Sequence, residues 1–358
     1  MSITRNERKQ WARSALKGLE NALMPSFDLD TWQLDEEGIR WDVRQAIAHG
    51  FFSTMCALET GLTLEEQKRF VEIACDEARG KLLVSFTLLQ DSVEDSLELL
   101  AHAERVGASH ALLGYPPSFR PETPADIVAV TRRIAEATNL GLVMYASDKF
   151  DFARFHPSQI PFEAYDEIAS LPNVVSLKVG FGDPATAFEA FERYGRHVLV
   201  NVGTPWLMGL FPLLHRRYGA QWFGGGAWEM WQSPERPYMI EFYDAVIRGD
   251  ITGARSIYWT LARANAIAMG GNIARGGDIG MYHWPMGKYV SWSVGGNGGA
   301  MREPSMKLPI GLMMQRKAAL RAIGIEPREP DAEFWAGRVR FGRARCAPTS
   351  EENKHGDD

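Results

Sequence analysis

Apolar residues along this chain fall into two alternating patterns. Short, nearly continuous runs recur: FFSTM from Phe51, KLLVSF from Lys81, HALLG from His110, GLVMY from Gly141, NVVSLK from Asn173 and HVLVN from His197. Runs of this length and composition predict strands buried on both faces. Between them lie longer stretches with apolar residues at helical spacing. LTLEEQKRFVEIACDEARG starts at a Thr63 cap, puts Phe70, Ile73 and Ala74 on one stripe and stops at Gly80. SVEDSLELLAHAERVGAS starts from a Ser92 cap, and TPADIVAVTRRIAEATN carries proline at its first helical position. NALMPSF (Asn21–Phe27) opens the series as strand and turn, DVRQAIAHG ends a helix at Gly50, AQWFG supplies the last strand, and a helix from about Glu235 to Arg248 closes it. Eight strand–helix pairs in order predict parallel strands joined by crossover helices. Eight such units favour a closed (β/α)8 TIM barrel over an open sheet. No Gly-rich phosphate motif opens the first unit, which argues against a nucleotide-binding fold.

The pattern changes beyond Gly249. DITGARSIYWTLARANAIAM reads as a helix, residues 270–304 are rich in glycine and aromatics without periodicity, and KLPIGLMMQRKAALRAIG is helical again. The expected organisation is an N-terminal extension over 1–20, the barrel over 21–250, C-terminal helices with a Gly- and aromatic-rich loop over 251–345, and a disordered tail over 346–358. A chain of 358 residues with 45% hydrophobic and 23% charged residues can bury a large core. Its formal charge of −6 argues against nucleic acid or an anionic membrane as the main partner. The three cysteines (Cys56, Cys75, Cys346) form no metal or disulfide pattern, the charged N-terminus lacks the apolar core of a signal peptide, and no run approaches a membrane span. A reducing cytoplasm is the expected compartment.

In a (β/α)8 barrel the chemistry sits at the C-terminal ends of the strands. Two ends stand out: Tyr145 and Lys178, on neighbouring strands roughly 4.8 Å apart. An amine among Val174, Val175, Leu177 and Val179 is expected to be partly desolvated, which favours its neutral form. A neutral amine can condense with a carbonyl to a Schiff base, an electron sink for C–C cleavage or formation. A nearby phenol suits the accompanying proton transfers. Taken singly, Lys178 also reads as a strand-end lysine reaching for solvent and Tyr145 as a rim aromatic; together they point to catalysis. The eight histidines show no metal-ligating spacing. No metal or organic cofactor is expected, the imine on Lys178 serving instead.

At these residues the sequence resembles the dihydrodipicolinate synthase / N-acetylneuraminate lyase family of class I aldolases. LPNVVSLKVGFGD is similar to the family's segment around its Schiff-base lysine, and GLVMYAS to the strand bearing its proton-relay tyrosine. DSVEDSLELLAHAERVGASHALLGYPP is similar to a third family stretch and places Tyr115 at the pocket mouth. The resemblance spans roughly residues 22–268. Within the family, MYASDKFDF, LLGYPPSF and WFGGGAW look most like the hydratase-aldolase branch, which includes the trans-o-hydroxybenzylidenepyruvate hydratase-aldolases. The family usually has a G-T-T-G-E or G-T-F-G-E turn after strand two, whose donors hold a pyruvate carboxylate; here the residues are Met55-Cys56-Ala57-Leu58-Glu59. Lost charge-assisted hydrogen bonds are worth roughly 1.5–3 kcal/mol each, so such a carboxylate would need another holder. Arg302, Lys288, Asn201 and Thr54 are the candidates.

The resemblance thus implies a Schiff-base lyase with Lys178 as nucleophile, Tyr145 as general acid/base and Tyr115 as a second phenol or substrate contact. Thr54, Cys56, Glu59, Asn201, Gly224, Gly225 and Trp228 are expected around the substrate. Its aromatic group would face Trp228, Trp284 and Trp292. Cys56 also reads as a small buried filler, Glu59 as a helix-start carboxylate and His283 as a packed loop residue. The expected substrate is a 2-oxo acid or related carbonyl compound with an aromatic substituent, and the expected assembly a homo-oligomer. The alternatives are an imine-dependent dehydratase or synthase, and a barrel that binds a small molecule without turning it over.

Overall fold

A computed structural model describes residues 3–147, 150–180, 184–202, 205–269, 283–302 and 308–346. Eight parallel strands form the predicted barrel: β1 (Gly18–Leu23), β2 (Ser53–Cys56), β3 (Leu83–Leu88), β4 (His110–Leu113), β5 (Gly141–Ala146), β6 (Val174–Val179), β7 (Leu199–Val202) and β8 (Trp222–Gly226). Backbone ladders join them in the order β7-β6-β5-β4-β3-β2-β1-β8. At the remaining β7/β8 seam the side-chain oxygen of Asn201 accepts from Gly224 N at 3.4 Å.

Helices α1 (Arg8–Ala15) to α9 (Tyr238–Ile247) alternate with the strands: α2 (Glu36–Ala48), α3 (Leu64–Ala78), α4 (Val93–Val106), α5 (Pro124–Glu136), α6 (Phe162–Ile168), α7 (Pro184–Tyr194) and α8 (Phe211–Tyr218) lie between. The expected caps are in place. Thr63 and Glu66 form a reciprocal capping box, Ser92 accepts from Asp95 N at 3.0 Å, and Pro124 opens α5. After α9 come α10 (Ile251–Met269), α11 (Trp284–Ser293), α12 (Ile310–Ala322), α13 (Asp331–Ala336) and α14 (Arg338–Cys346).

Strand alternation divides the core in two. Ala22, Met55, Leu112, Val143, Val175, Leu199 and Trp222 fill the barrel interior, where α1 joins them through Ala12 and Leu16. The opposite strand faces, with Leu19, Cys56, Phe86, Leu142, Leu177 and Phe223, pack against the helix layer.

Three elements depart from the sequence expectation. β1 begins at Gly18, three residues early, because the polar Glu20 is satisfied inside the barrel rather than breaking the strand. α2 begins at Glu36, where Asp35 accepts from Gly38 N at 3.0 Å. Part of the expected loop over 270–304 is helix α11, in which every residue except Ser291 is buried. A helix buried nearly all round has no polar stripe, so its sequence carries no periodic signal. Residues 270–282 and 303–304 of that loop, and the expected tail beyond Cys346, lie outside the described residues. Among the described residues no helix is long and apolar enough to cross a membrane.

Candidate active site

Lys178 and Tyr145 are register partners on β6 and β5. Inward-facing positions on adjacent parallel strands share one stretch of lumen, so the pairing brings both side chains together. The Lys178 amine lies 5.3 Å from the centre of the Tyr145 ring, and the residue is only 8% exposed. The amine is therefore away from bulk solvent, and its chain does not snorkel out. It also lies 3.5 Å from the carbonyl oxygen of Gly225. Tyr145 is held from behind: Tyr165 donates its hydroxyl to the Tyr145 carbonyl at 2.8 Å, and Phe150 meets the Tyr145 ring edge-on at 5.9 Å.

Asn201 on β7 is the register partner of Lys178 on its other side. It is fully buried, and its Nδ2 has no hydrogen-bond partner among the described residues. A buried amide donor without a partner is costly in a finished core and is expected where a ligand completes it. The adjoining glycines make the room. A Cβ on Gly224 would sit 2.7 Å from Asn201 Nδ2, and one on Gly225 would sit 2.9 Å from both the Lys178 amine and the Met55 thioether. Gly225 also has φ +57°, a left-handed conformation that side chains disfavour.

The end of β2 closes the other side. Met55 and Ala57 face the lumen with Met24, Trp284 and Met301 in one buried apolar group, against which Tyr145 packs. Glu59 follows, accepting a hydrogen bond from the Thr87 hydroxyl. That hydroxyl in turn accepts from Leu58 N at 2.9 Å, so β3 fixes the turn. Thr54 and Cys56, one residue out of phase with Met55, face the helix layer; Cys56 packs there, where burial drives its thiol pKa up.

Other expected site residues lie elsewhere. The Tyr115 hydroxyl pairs with Thr131 on α5 at 2.8 Å, and Phe150 stands between it and Tyr145, 5.2 Å from the Tyr115 ring. Burial raises the phenol pKa of Tyr115 further from neutrality. Tyr115 thus braces the Tyr145 side without reaching the amine. Trp228 is fully buried in the helix-layer core against Phe223, and Trp292 packs with Tyr289 and Phe334 among the C-terminal helices. Of the three expected aromatic walls only Trp284 joins the lumen group, with the His283 ring tilted against it at 4.2 Å. Arg302 is engaged by both oxygens of Glu66 at 2.7 Å. Lys288 is buried and donates to the Pro25 carbonyl, beside a closed cavity that Asp42, Asn21 and Glu229 also line. Burial lowers the Lys288 pKa, opposed by Asp42, and raises that of Glu229 to about 7. Neither cation faces the Lys178 amine. Among the described residues no group of three or more His, Cys, Asp or Glu is arranged for a metal.

Sequence reasoning missed Met55 and Thr87 as site neighbours. Strand phase would have found both: Met55 lies two before Ala57, and Thr87 ends the run KLLVSFT.

A profile of the dihydrodipicolinate synthetase family matches residues 15–208. The 4-hydroxy-tetrahydrodipicolinate synthase of Methanopyrus kandleri is 26% identical over 251 residues, covering 69% of this chain and 79% of the relative. N-acetylneuraminate lyase from Fusobacterium nucleatum superposes with a TM-score of 0.68 at 17% identity, covering 86% of this chain and 99% of that one. YagE, an Escherichia coli K12 prophage protein solved in complex with pyruvate, superposes with a TM-score of 0.70 at 16% identity over 86% of this chain and 99% of its own.

Proposed function

The chain belongs to the dihydrodipicolinate synthetase family, and on that premise we propose that it makes or breaks a carbon–carbon bond through an imine on Lys178. Members of the family are lyases or synthases, and this chain is an enzyme of that type. Their chemistry uses a lysine of the protein and no external cofactor. The observation that carries the reading is the buried Lys178 amine 5.3 Å from the Tyr145 ring, on register-paired strand ends.

The neutral Lys178 amine adds to the substrate carbonyl carbon, a proton passes from nitrogen to oxygen, and the carbinolamine hydroxyl leaves as water with a proton given by Tyr145, which leaves the iminium and a Tyr145 phenolate. The electron pair of the adjacent C–C bond then flows into the iminium, giving an enamine and releasing an aldehyde. Tyr145 takes the proton from the substrate hydroxyl in that step and returns it to the enamine carbon, after which water hydrolyses the imine. Asn201 Nδ2 donates to a substrate oxygen, Gly224 and Gly225 leave the space, and Glu59, tied to Thr87, fixes the turn opposite. The substrate is a 2-oxo acid or related carbonyl compound with an aromatic group, in the manner of the hydratase-aldolases, and Trp284 supplies an aromatic wall. The chain is further proposed to work as a homo-oligomer in the cytoplasm.

A mass-spectrometric screen of aryl-substituted 2-oxo acids and simple aldehydes identifies a turned-over compound. On it, Lys178→Ala should lower turnover by about 10³-fold or more, and Tyr145→Phe by about 10²-fold, with unfolding midpoints unchanged. A Lys178→Ala enzyme within tenfold of wild type would refute the assignment.

A further inference from the structure

Tyr145 has aromatic company on the side away from β6. The chain turns directly after β5, with Phe150 N donating to the Ser147 carbonyl at 3.5 Å. That turn carries the Phe150 ring back to the strand end, edge-on to Tyr145 at 5.9 Å. Behind Phe150 stand Tyr115 at 5.2 Å and Phe152 at 5.6 Å, and Phe119 stacks on Tyr115 at 5.2 Å. Tyr115 and Phe152 are buried, and Thr131 pins the Tyr115 hydroxyl. These rings come from the loops after β4 and β5, on the face of the barrel where sites are built.

The backing is closed, but its front is not. Phe150 is half-buried, as is Tyr145 beside it, so the two rings keep surface to offer a ligand. Trp284, in the lumen group against which Tyr145 packs, is only 6% exposed and has little face left. The proposed chemistry says which part of the substrate comes here. The imine carbon is bonded to Lys178, and the phenol of Tyr145 takes the proton from the substrate hydroxyl. The hydroxyl-bearing carbon, which becomes the aldehyde carbon, is therefore held at Tyr145. Its substituent lies one bond further on, next to the ring that neighbours Tyr145. A planar aryl group in that place gains ring-to-ring contact beyond its burial.

We infer that Phe150 is the specificity-determining residue for the aldehyde half of the substrate: an aryl group on the hydroxyl-bearing carbon packs on the Phe150 ring. This rests on imine formation at Lys178 and proton transfer through Tyr145, and it places the aromatic group of that same substrate. The 2-oxo acid half stays with Lys178 and Asn201. One side of the barrel mouth thus holds the reacting carbonyl, and the β4/β5 side selects what is attached to it.

Non-cleavable probes test the placement without turnover. 2-Oxo-4-phenylbutanoate carries a ring on the carbon that corresponds to the hydroxyl-bearing one, 2-oxo-4-cyclohexylbutanoate carries a saturated ring there, and 2-oxobutanoate carries none. Each condenses with the Lys178 amine, losing water, and borohydride delivers hydride to the iminium carbon to leave a secondary amine. The full-length protein is equilibrated with each probe over a concentration range and reduced briefly. Half-saturation is then read by intact mass, with peptide mapping to Lys178. In the wild type the phenyl probe should half-saturate at a concentration about tenfold below 2-oxobutanoate, and below the cyclohexyl probe as well. Phe150→Ala should raise the value for the phenyl probe about tenfold, with a several-fold smaller change for 2-oxobutanoate. Phe150→Tyr, which keeps the ring, should restore the preference. An equal rise for all three probes in Phe150→Ala would make Phe150 a brace for Tyr145 only and overturn the inference. So would a phenyl preference that is missing from the wild type or undiminished in Phe150→Ala; the imine chemistry would stand in each case. No adduct on Lys178 with any of the probes removes the imine reading, and this inference with it.

Discussion

The two ends of the barrel interior carry polar groups of similar kinds in opposite states. At the N-terminal end, Glu20 is fully enclosed and every visible partner is in place. Ser53 and Ser85 donate to it at 2.9 and 2.6 Å, His110 lies 2.9 Å away, and Ser109 meets the other ring nitrogen of His110 at 2.8 Å. Trp222 and Trp11 cover the His110 ring, and α1 closes that end. At the C-terminal end, Lys178 and Asn201 are also buried and Tyr145 is partly so, but the Asn201 amide donor is left unpartnered among the described residues and the neighbouring side chains are pared back to glycine. A closed network stabilises and specifies a fold, whereas an open one is kept for something that arrives later. On the proposed chemistry, the contrast separates structural from functional polarity within one lumen.

Breaking the closed end should have the largest effect on stability. Glu20→Ala leaves His110 and two serines without their shared acceptor and should destabilise the fold by about 3–5 kcal/mol in urea titrations. Burial acts to raise the Glu20 pKa, but the charge and hydrogen bond of His110, with those of Ser85 and Ser53, outweigh it and hold the group low. Its contribution is then fully present above the unfolded carboxylate pKa, about 4.3, and is lost as pH falls toward the lower folded value. The urea midpoint of the wild type should fall on that acid limb, and Glu20→Gln should flatten it.

Gly225→Ala sharpens the comparison at the open end. It forces a side chain into a left-handed conformation, costing about 1–2 kcal/mol, and drives a methyl group against the amine and the Met55 thioether. Turnover should fall by more than the stability loss accounts for, which parallel melting and rate measurements would show. The smallest effect belongs to Asn201→Ala. One neutral hydrogen bond to substrate is worth about 0.5–1.5 kcal/mol, so kcat/KM should drop roughly two- to tenfold while the melting temperature stays within a few degrees of wild type. A large loss of stability instead would place Asn201 with the closed network.

The barrel and the pairing of Tyr145 with Lys178 were legible because both rest on local pattern. Continuous apolar runs ending in Tyr145 and Lys178 determine strand phase, and phase determines which side chains meet. What resisted reading depends on partners distant in sequence. Glu20 looks like a strand breaker until Ser53, Ser85 and His110 surround it. Cys56 was expected at the site because it stands in the turn after strand two where the resembled family has a threonine, yet alternation turns it to the helices. Trp228 and Trp292 suggested an aromatic pocket by composition, but their burial in other layers is a tertiary fact. Helix α11 has no amphipathic signature because it is enclosed on nearly every side.

Two buried amines compete for the central assignment. Burial lowers the pKa of Lys288, so reactivity judged by titration alone would choose it. Geometry chooses Lys178, since Lys288 is enclosed beside β1 and α2 and donates to the Pro25 carbonyl. The decisive measurement is peptide mapping of the borohydride-reduced adduct formed with a turned-over carbonyl compound. The modification should fall on the peptide containing Lys178 alone; an adduct on Lys288, or one spread over exposed lysines with Lys178 unmodified, would contradict the account.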